Sequence, residues 1–116
     1  MNSAADLDTL QTVTDATFGL LVLNGKGPIV VEFMFYGCGY CRAVEPILQQ
    51  IAKKLHAKQK FFRVNVAAES ELVGTYGIDG TPTFVMFLDD NEMGRAEGPD
   101  PTLASITATV TQPSDG

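Results

Sequence analysis

The sequence has no tryptophan, two cysteines, a single histidine and few basic residues. Two cysteines do not form the framework of a disulfide-stapled secreted domain, which spreads several along the chain. With 14 acidic against 8 basic residues the formal net charge is -6. Long-range electrostatics therefore repel phosphate backbones and anionic lipid headgroups, and we expect no nucleic-acid partner.

Long hydrophobic runs are also missing. The longest mainly apolar stretch, Ile29 to Tyr36, is interrupted by Glu32 and is far too short to cross a bilayer as a helix. The segment Met1 to Asp8 contains no basic residue and so lacks the charged start of a secretory signal. We expect no membrane span and a cytoplasmic location, or a periplasmic or secreted one if a signal has been removed.

The remaining composition is that of one compact domain. A length of 116 residues with 45% hydrophobic content is enough for a single core, and no repeat or linker interrupts it, so we predict one domain over residues 1–116. A basic run extends from Lys53 to Arg63, with His56 inside it. We interpret this run as a solvated surface and His56 as a surface residue.

The hydrophobic pattern predicts alternating strands and helices. The strands are predicted at Leu10–Val13, Ile29–Phe35, Phe61–Val66, Thr83–Leu88 and Glu92–Glu97, and the helices after Thr14 or Asp15, from Tyr40, at Glu69–Tyr76 and after Asp100. Asp89 and Asp90 supply turn residues for a hairpin between the last two strands. Ile29–Phe35 is almost continuously apolar, as in a central strand covered on both faces. The fold class predicted is α/β, with a central mixed sheet flanked by helices on both faces. All the phenylalanines on the strands, Phe35 included, are predicted to be core.

The two cysteines stand where the central strand gives way to the long helix. There, unpaired backbone N–H groups and the helix dipole stabilise a thiolate, which predicts Cys38 as the nucleophile. Cys41 lies one helical turn on and can attack a mixed disulfide formed at Cys38, which predicts it as the resolving thiol. A zinc site is the alternative, but a closed site needs four ligands and His56 is the single histidine.

With these cysteines and the residues around them, the sequence resembles the thioredoxin family over roughly Val13 to Val110. Beside Cys38-Gly39-Tyr40-Cys41, the resemblance rests on an acidic residue before the cysteines, a helix proline after them, a loop proline, a late glycine and an early phenylalanine. These are Glu32, Pro46, Pro82 in Thr81-Pro82-Thr83, Gly98 and Phe18. No gap is needed between Phe18 and Gly98.

The resemblance implies roles for these residues. The Thr81–Pro82 bond is expected to be cis and to lie beside the cysteines, where the backbone pairs with a substrate segment. Gly39, Tyr40, Gly80, Thr81 and Pro82 are expected to contact the substrate. Glu32 is expected to accept the proton of Cys41, its pKa being raised by burial, while an ion pair with Arg63 is the alternative, and the two are compatible.

The resemblance also implies partners but does not fix the direction of electron transfer. The substrates expected are protein disulfides or dithiols, the chain acts as a monomer without a cofactor, and a separate reductase supplies electrons. Thioredoxins have tryptophan before the first cysteine and Gly-Pro between the two, where this chain has Gly37 and Gly39-Tyr40, a pair similar to that of periplasmic disulfide isomerases. We expect a reductase, with an isomerase or oxidase, or a non-catalytic redox-sensing module, as the alternatives.

Overall fold

The computed structural model of this protein describes residues 10–55 and 59–97. The strands in these residues are β1 (Gln11–Thr12), β2 (Pro28–Met34), β3 (Lys60–Asn65), β4 (Thr83–Leu88) and β5 (Asn91–Glu97). The helices are a π-helix at Gly19–Leu23, α1 (Gly39–Leu55) and α2 (Ser70–Tyr76). His56, Gly98 and the helix predicted after Asp100 lie outside the described residues. Within the described part, no helix is both long and apolar enough to span a membrane.

The strands form one mixed sheet in the order β1-β3-β2-β4-β5. The pairs β1–β3 and β2–β3 are parallel, whereas β2–β4 and β4–β5 are antiparallel. Asp89 and Asp90 connect β4 to β5 with φ angles of 48° and 71°, the left-handed conformation that tight hairpin turns need. The predicted central position of β2 and the predicted hairpin are both confirmed.

Each face of the sheet carries its own hydrophobic cluster. On one face, α1 packs on β2, β3 and β4 through Val44, Leu48, Ala52, Val30, Phe61 and Phe84. On the other face, the π-helix and α2 pack on the sheet through Phe18, Val22, Leu72, Val31, Phe33, Val64, Val85 and Phe87. The alternating side chains of β2 supply both clusters, because successive residues of a strand point to opposite faces. The predicted mixed sheet with helices on both faces is confirmed.

The segment before β2 differs from the helix predicted there. It is a short π-helix in which Val22 is fully buried and Leu20 is 70% exposed. Asp15 does not cap it: the Asp15 carboxylate accepts the backbone N–H of Leu72 in α2 at 3.0 Å. Glu69 in turn accepts the backbone N–H of Asp15 at 2.8 Å. Asp15 and Glu69 therefore join the segment after β1 to α2, although the two are far apart in sequence.

Two further predictions were wrong in detail. β2 ends at Met34, so Phe35 is not a core strand residue and is 37% exposed. Within the described part of the basic run, Lys53, Lys54 and Lys60 are exposed, but Arg63 is only 5% exposed, because it lies on an inner strand of the sheet. Burial of an arginine requires charged or polar partners, and these are part of the site described next.

Candidate active site

Cys38 occupies the junction between β2 and α1. Its backbone N–H donates to the carbonyl of Phe35 at 3.1 Å, which closes the turn after the strand. Its carbonyl accepts the N–H of Arg42 at 3.2 Å, the first bond of the helix. Cys38 is therefore the residue that caps α1, and its side chain faces the N–H groups that have no partner inside the helix.

The sulfur of Cys38 is surrounded by hydrogen-bond donors. The backbone N–H of Cys41 donates to Sγ at 3.1 Å and the Thr81 hydroxyl donates to it at 3.2 Å. Burial raises the pKa of Cys38, but hydrogen bonds from Cys41, Thr81 and the backbone of Tyr40 outweigh it, so the pKa lies below that of an ordinary thiol. This environment stabilises the thiolate, which is the reactive form.

The second cysteine, Cys41, is held as a protonated thiol. Cys41 is 2% exposed, and burial together with its hydrogen bond with Cys38 raises its pKa to about 12. Cys38, although only 6% exposed, carries the outer sulfur of the pair. The two thiols are free in this structure and lie within one turn of helix. The arrangement can present the Cys38 thiolate to a substrate while Cys41 stays protonated.

The loop before β4 lies against Cys38. The Thr81–Pro82 peptide bond is cis, and the Thr81 carbonyl is 3.6 Å from the Cys38 sulfur. Pro82 is buried, while Gly80 is exposed. The cysteines and this loop meet because β2 and β4 are neighbours in the sheet, with Phe33 opposite Thr83.

The predicted substrate residues between the cysteines are open to solvent. Tyr40 is 52% exposed, and Gly39 has no heavy atom near the position of a side chain. In the other loop Gly80 is also exposed, and the half-buried Thr81 beside it contacts the Cys38 sulfur. The structure therefore places Thr81 of the second loop against Cys38, with Gly39, Tyr40 and Gly80 exposed and Pro82 buried.

Glu32 lies under the same surface, inside the protein. It is fully buried, and its carboxylate accepts a hydrogen bond from Arg63 Nε at 3.3 Å. Because side chains alternate along β2, Glu32 faces the same side as Met34. Met34 packs against Cys38 and Cys41, so Glu32 lies on the cysteine side of the sheet. The ion pair with Arg63 that the sequence suggested is present.

Sequence reasoning missed two features of the site. Glu45, one turn after Cys41 on α1, accepts a hydrogen bond from Arg63 Nη2 at 2.6 Å. Its i, i+4 spacing from Cys41 was the signal available. A groove of about 220 Å³ also opens beside Thr81. Its lining is mainly apolar and consists of Phe35, Val66, Val73, Ile78, Asp79, Gly80 and Thr81.

Comparisons with known proteins agree with this geometry. The Thioredoxin family model matches residues 9–112. Thioredoxin 1 of Synechococcus elongatus is 36% identical over 80% of this chain and 89% of its own length. Thioredoxin M2, chloroplastic, of Arabidopsis thaliana is 33% identical over 83% of this chain, which spans only 53% of that relative. The crystal structure of Malassezia sympodialis thioredoxin superimposes with a TM-score of 0.78 at 28% identity, covering 89% of each chain.

Proposed function

The chain belongs to the thioredoxin family of thiol-disulfide oxidoreductases, and we propose that it reduces disulfides in proteins, with Cys38 as the attacking thiol and Cys41 as the resolving thiol. The observation that carries the assignment is the unequal surroundings of the two sulfurs. Hydrogen bonds lower the pKa of Cys38, whereas burial raises the pKa of Cys41 to about 12. A thiolate at Cys38 attacks first, because the thiol of Cys41 is not ionised at neutral pH.

The reaction proposed has two exchange steps. The Cys38 thiolate attacks one sulfur of the substrate disulfide, so that a Cys38–substrate disulfide forms and the other substrate sulfur leaves as a thiolate that takes a proton. Cys41 then loses its proton and attacks the sulfur of Cys38. The Cys38–Cys41 disulfide forms, the bond to the substrate breaks, and the substrate leaves with two thiols. The two electrons come from the protein's own dithiol.

Proton removal from Cys41 is the difficult part of the second step. Its pKa of about 12 leaves almost no thiolate at neutral pH. We propose Glu32 as the acceptor of this proton, since it lies on the cysteine side of β2 next to Met34, which touches both cysteines. A positioned carboxylate of this kind acts as a general base.

The substrate would lie across the two exposed loops. Thr81 contacts the Cys38 sulfur and also lines the groove of about 220 Å³. An extended segment of substrate that brings its disulfide to Cys38 would therefore pass Gly80, Thr81 and Pro82 on one side and Gly39 and Tyr40 on the other. Backbone pairing with such a segment is one of the general modes of peptide recognition.

Catalytic turnover requires a further partner. Each cycle leaves the Cys38–Cys41 pair oxidised, so a separate reductase must return two electrons to it. We propose that the chain acts as a monomer and in the cytoplasm, where the redox poise keeps dithiols reduced. The Gly39-Tyr40 pair, similar to that of disulfide isomerases, favours isomerisation as the second candidate function, because residues between the cysteines tune the redox potential.

Trapping of a mixed disulfide tests the assignment of roles. In Cys41→Ser the resolving attack is removed, so Cys38 should hold a disulfide-containing protein such as insulin in a long-lived complex that reductant releases. Cys38→Ser is the matched control and should form no such complex. Mass spectrometry of the trapped peptides identifies the bonded sulfur. Trapping by Cys38→Ser through Cys41 would reverse the roles, and trapping by neither variant would argue for a non-catalytic module.

A further inference from the structure

Arg63 stands between two carboxylates that come from different elements. From β3, its Nε donates to Glu32 Oε1 on β2 at 3.3 Å, and its Nη2 donates to Glu45 Oε2 on α1 at 2.6 Å. Glu45 is held in turn by the Gln49 side-chain amide at 2.7 Å. The contacts therefore run from the buried Glu32 to the helix surface, where the Glu45 side chain is 33% exposed.

Arg63 is shared between the two acidic side chains. One guanidinium faces two carboxylates, and its shorter hydrogen bond goes to Glu45. Glu32 is fully buried, so desolvation disfavours its charged form, whereas Glu45 keeps contact with water. Both hydrogen bonds from Arg63 are charge-assisted. An arginine that donated to Glu32 alone would therefore stabilise the Glu32 carboxylate more strongly than one that also donates to Glu45.

We propose that Glu45 is a positioning residue that draws the Arg63 guanidinium towards the helix and so keeps Glu32 able to bind a proton near neutral pH. The inference rests on the proposed function, in which Glu32 takes the proton of Cys41. A carboxylate that binds a proton near the working pH is a better acceptor from a weakly acidic thiol than one fully stabilised by arginine. The transfer moves one proton from Cys41 to Glu32 and leaves the thiolate that attacks Cys38.

The neighbouring strands differ in what they present to Glu32. The facing residue on β4 is Phe84, which carries no charge. Arg63 comes from β3, on the opposite side of β2. On the helix side, Glu45 contacts Arg63, and the two cysteines at the start of α1 pack with Met34, which follows Glu32 on the same face of β2. Glu45 is thus a charged residue of α1 that contacts the cation paired with Glu32.

The test is a direct titration of Glu32 that does not depend on activity. The Glu32 side-chain carboxyl carbon is followed by NMR in glutamate-labelled, reduced protein and assigned by its loss in Glu32→Gln. In Glu45→Gln, which keeps the shape but removes the charge, the Glu32 midpoint should move to lower pH by about 1 pH unit. Glu71→Gln is the matched control, because Glu71 is an exposed carboxylate on α2, at the other face of the sheet. An unchanged midpoint in Glu45→Gln, or an equal shift in the control, would overturn the proposal.

Kinetics separate this proposal from the one it rests on. In Glu45→Gln the resolving step should become slower at neutral pH and its pH profile should move in the same direction as the titration, while the first attack by Cys38 stays unchanged. A shifted titration with an unchanged resolving step would support the role of Glu45 and count against Glu32 as the base. A changed resolving step with an unshifted titration would overturn the role of Glu45.

Discussion

The chemistry of this protein is decided by a few atoms around one sulfur. Cys38 Sγ accepts hydrogen bonds from the backbone of Cys41 and from the hydroxyl of Thr81, at 3.1 and 3.2 Å. The first of these bonds follows from the position at the start of a helix and was predictable from the strand-to-helix pattern. The second comes from a residue 43 positions away. No local sequence pattern reveals it, and only the family resemblance placed Thr81 beside the cysteines.

Removal of the Thr81 hydroxyl should raise the pKa of Cys38. Thr81→Val keeps the shape but loses the donor that stabilises the thiolate, so the charged form is favoured less. The rate of alkylation of Cys38 by iodoacetamide is measured against pH in a Cys41→Ser background. The midpoint of this curve should lie at higher pH in Thr81→Val than in the parent. Thr75→Val, on an exposed face of α2, is the control and should leave the curve in place. A curve that stays in place for Thr81→Val as well would show that the helix N-terminus alone sets this pKa.

Loss of the Glu32 carboxylate should slow the second chemical step. Glu32→Gln keeps size and polarity but cannot take the proton of Cys41, so stopped-flow measurement should show resolution slowed on the order of 10²-fold at neutral pH. The attack by Cys38 should change little. The difference should shrink as the pH rises towards the Cys41 pKa of about 12, because hydroxide then ionises the thiol directly. Equal resolving rates in variant and parent would make Glu32 a structural residue.

At the scale of elements, the patterns with a clear period were predicted well and the irregular segments were not. The long amphipathic α1 and the apolar β2 have strong periodic signals, and both were assigned close to their observed bounds. The π-helix at Gly19–Leu23 has no such signal, because its apolar run predicts an ordinary helix and does not tell which side is exposed. The role of Asp15 was missed for a similar reason: an N-terminal cap is assigned to the nearest helix, whereas this one serves α2.

The turn between the π-helix and β2 depends on a glycine for its close packing. A Cβ atom at Gly25 would lie 2.6 Å from Ile29 Cδ1 and 2.9 Å from the Leu21 carbonyl oxygen, and the latter is backbone. Gly25→Ala should therefore destabilise the protein by about 1–3 kcal/mol, the usual cost of overpacking. Chemical denaturation measures the difference.

Gly74 offers the matched control for this substitution. It lies inside α2 with no heavy atom within 4 Å of a built Cβ. Gly74→Ala should thus stabilise by about 0.5–1 kcal/mol, because alanine loses less backbone entropy in a helix. If both variants had the same free energy of unfolding as the parent, the contact of Gly25 with the backbone would not limit stability.

At the scale of the whole molecule, the sheet order brings the working parts together. β2 lies between β3 and β4 in the sheet. As a result, Cys38 in the loop after β2 contacts Thr81 in the loop before β4, and Arg63 on β3 reaches the buried Glu32. Sequence reasoning predicted these strands and most of the site. It predicted Arg63 mainly as part of a solvated basic run, because a one-dimensional pattern does not show that an inner strand will bury it beside two carboxylates.

The central claim is that this molecule gives electrons to protein disulfides, and the reduction potential of the Cys38–Cys41 pair tests it most directly. Because the sequence has no tryptophan to report the redox state by fluorescence, the pair is equilibrated in graded redox buffers and the free thiols are counted by alkylation and mass spectrometry. We expect a potential near that of thioredoxins, about -270 mV. A potential of about -180 mV or higher, in the range of disulfide isomerases and oxidases, would contradict it.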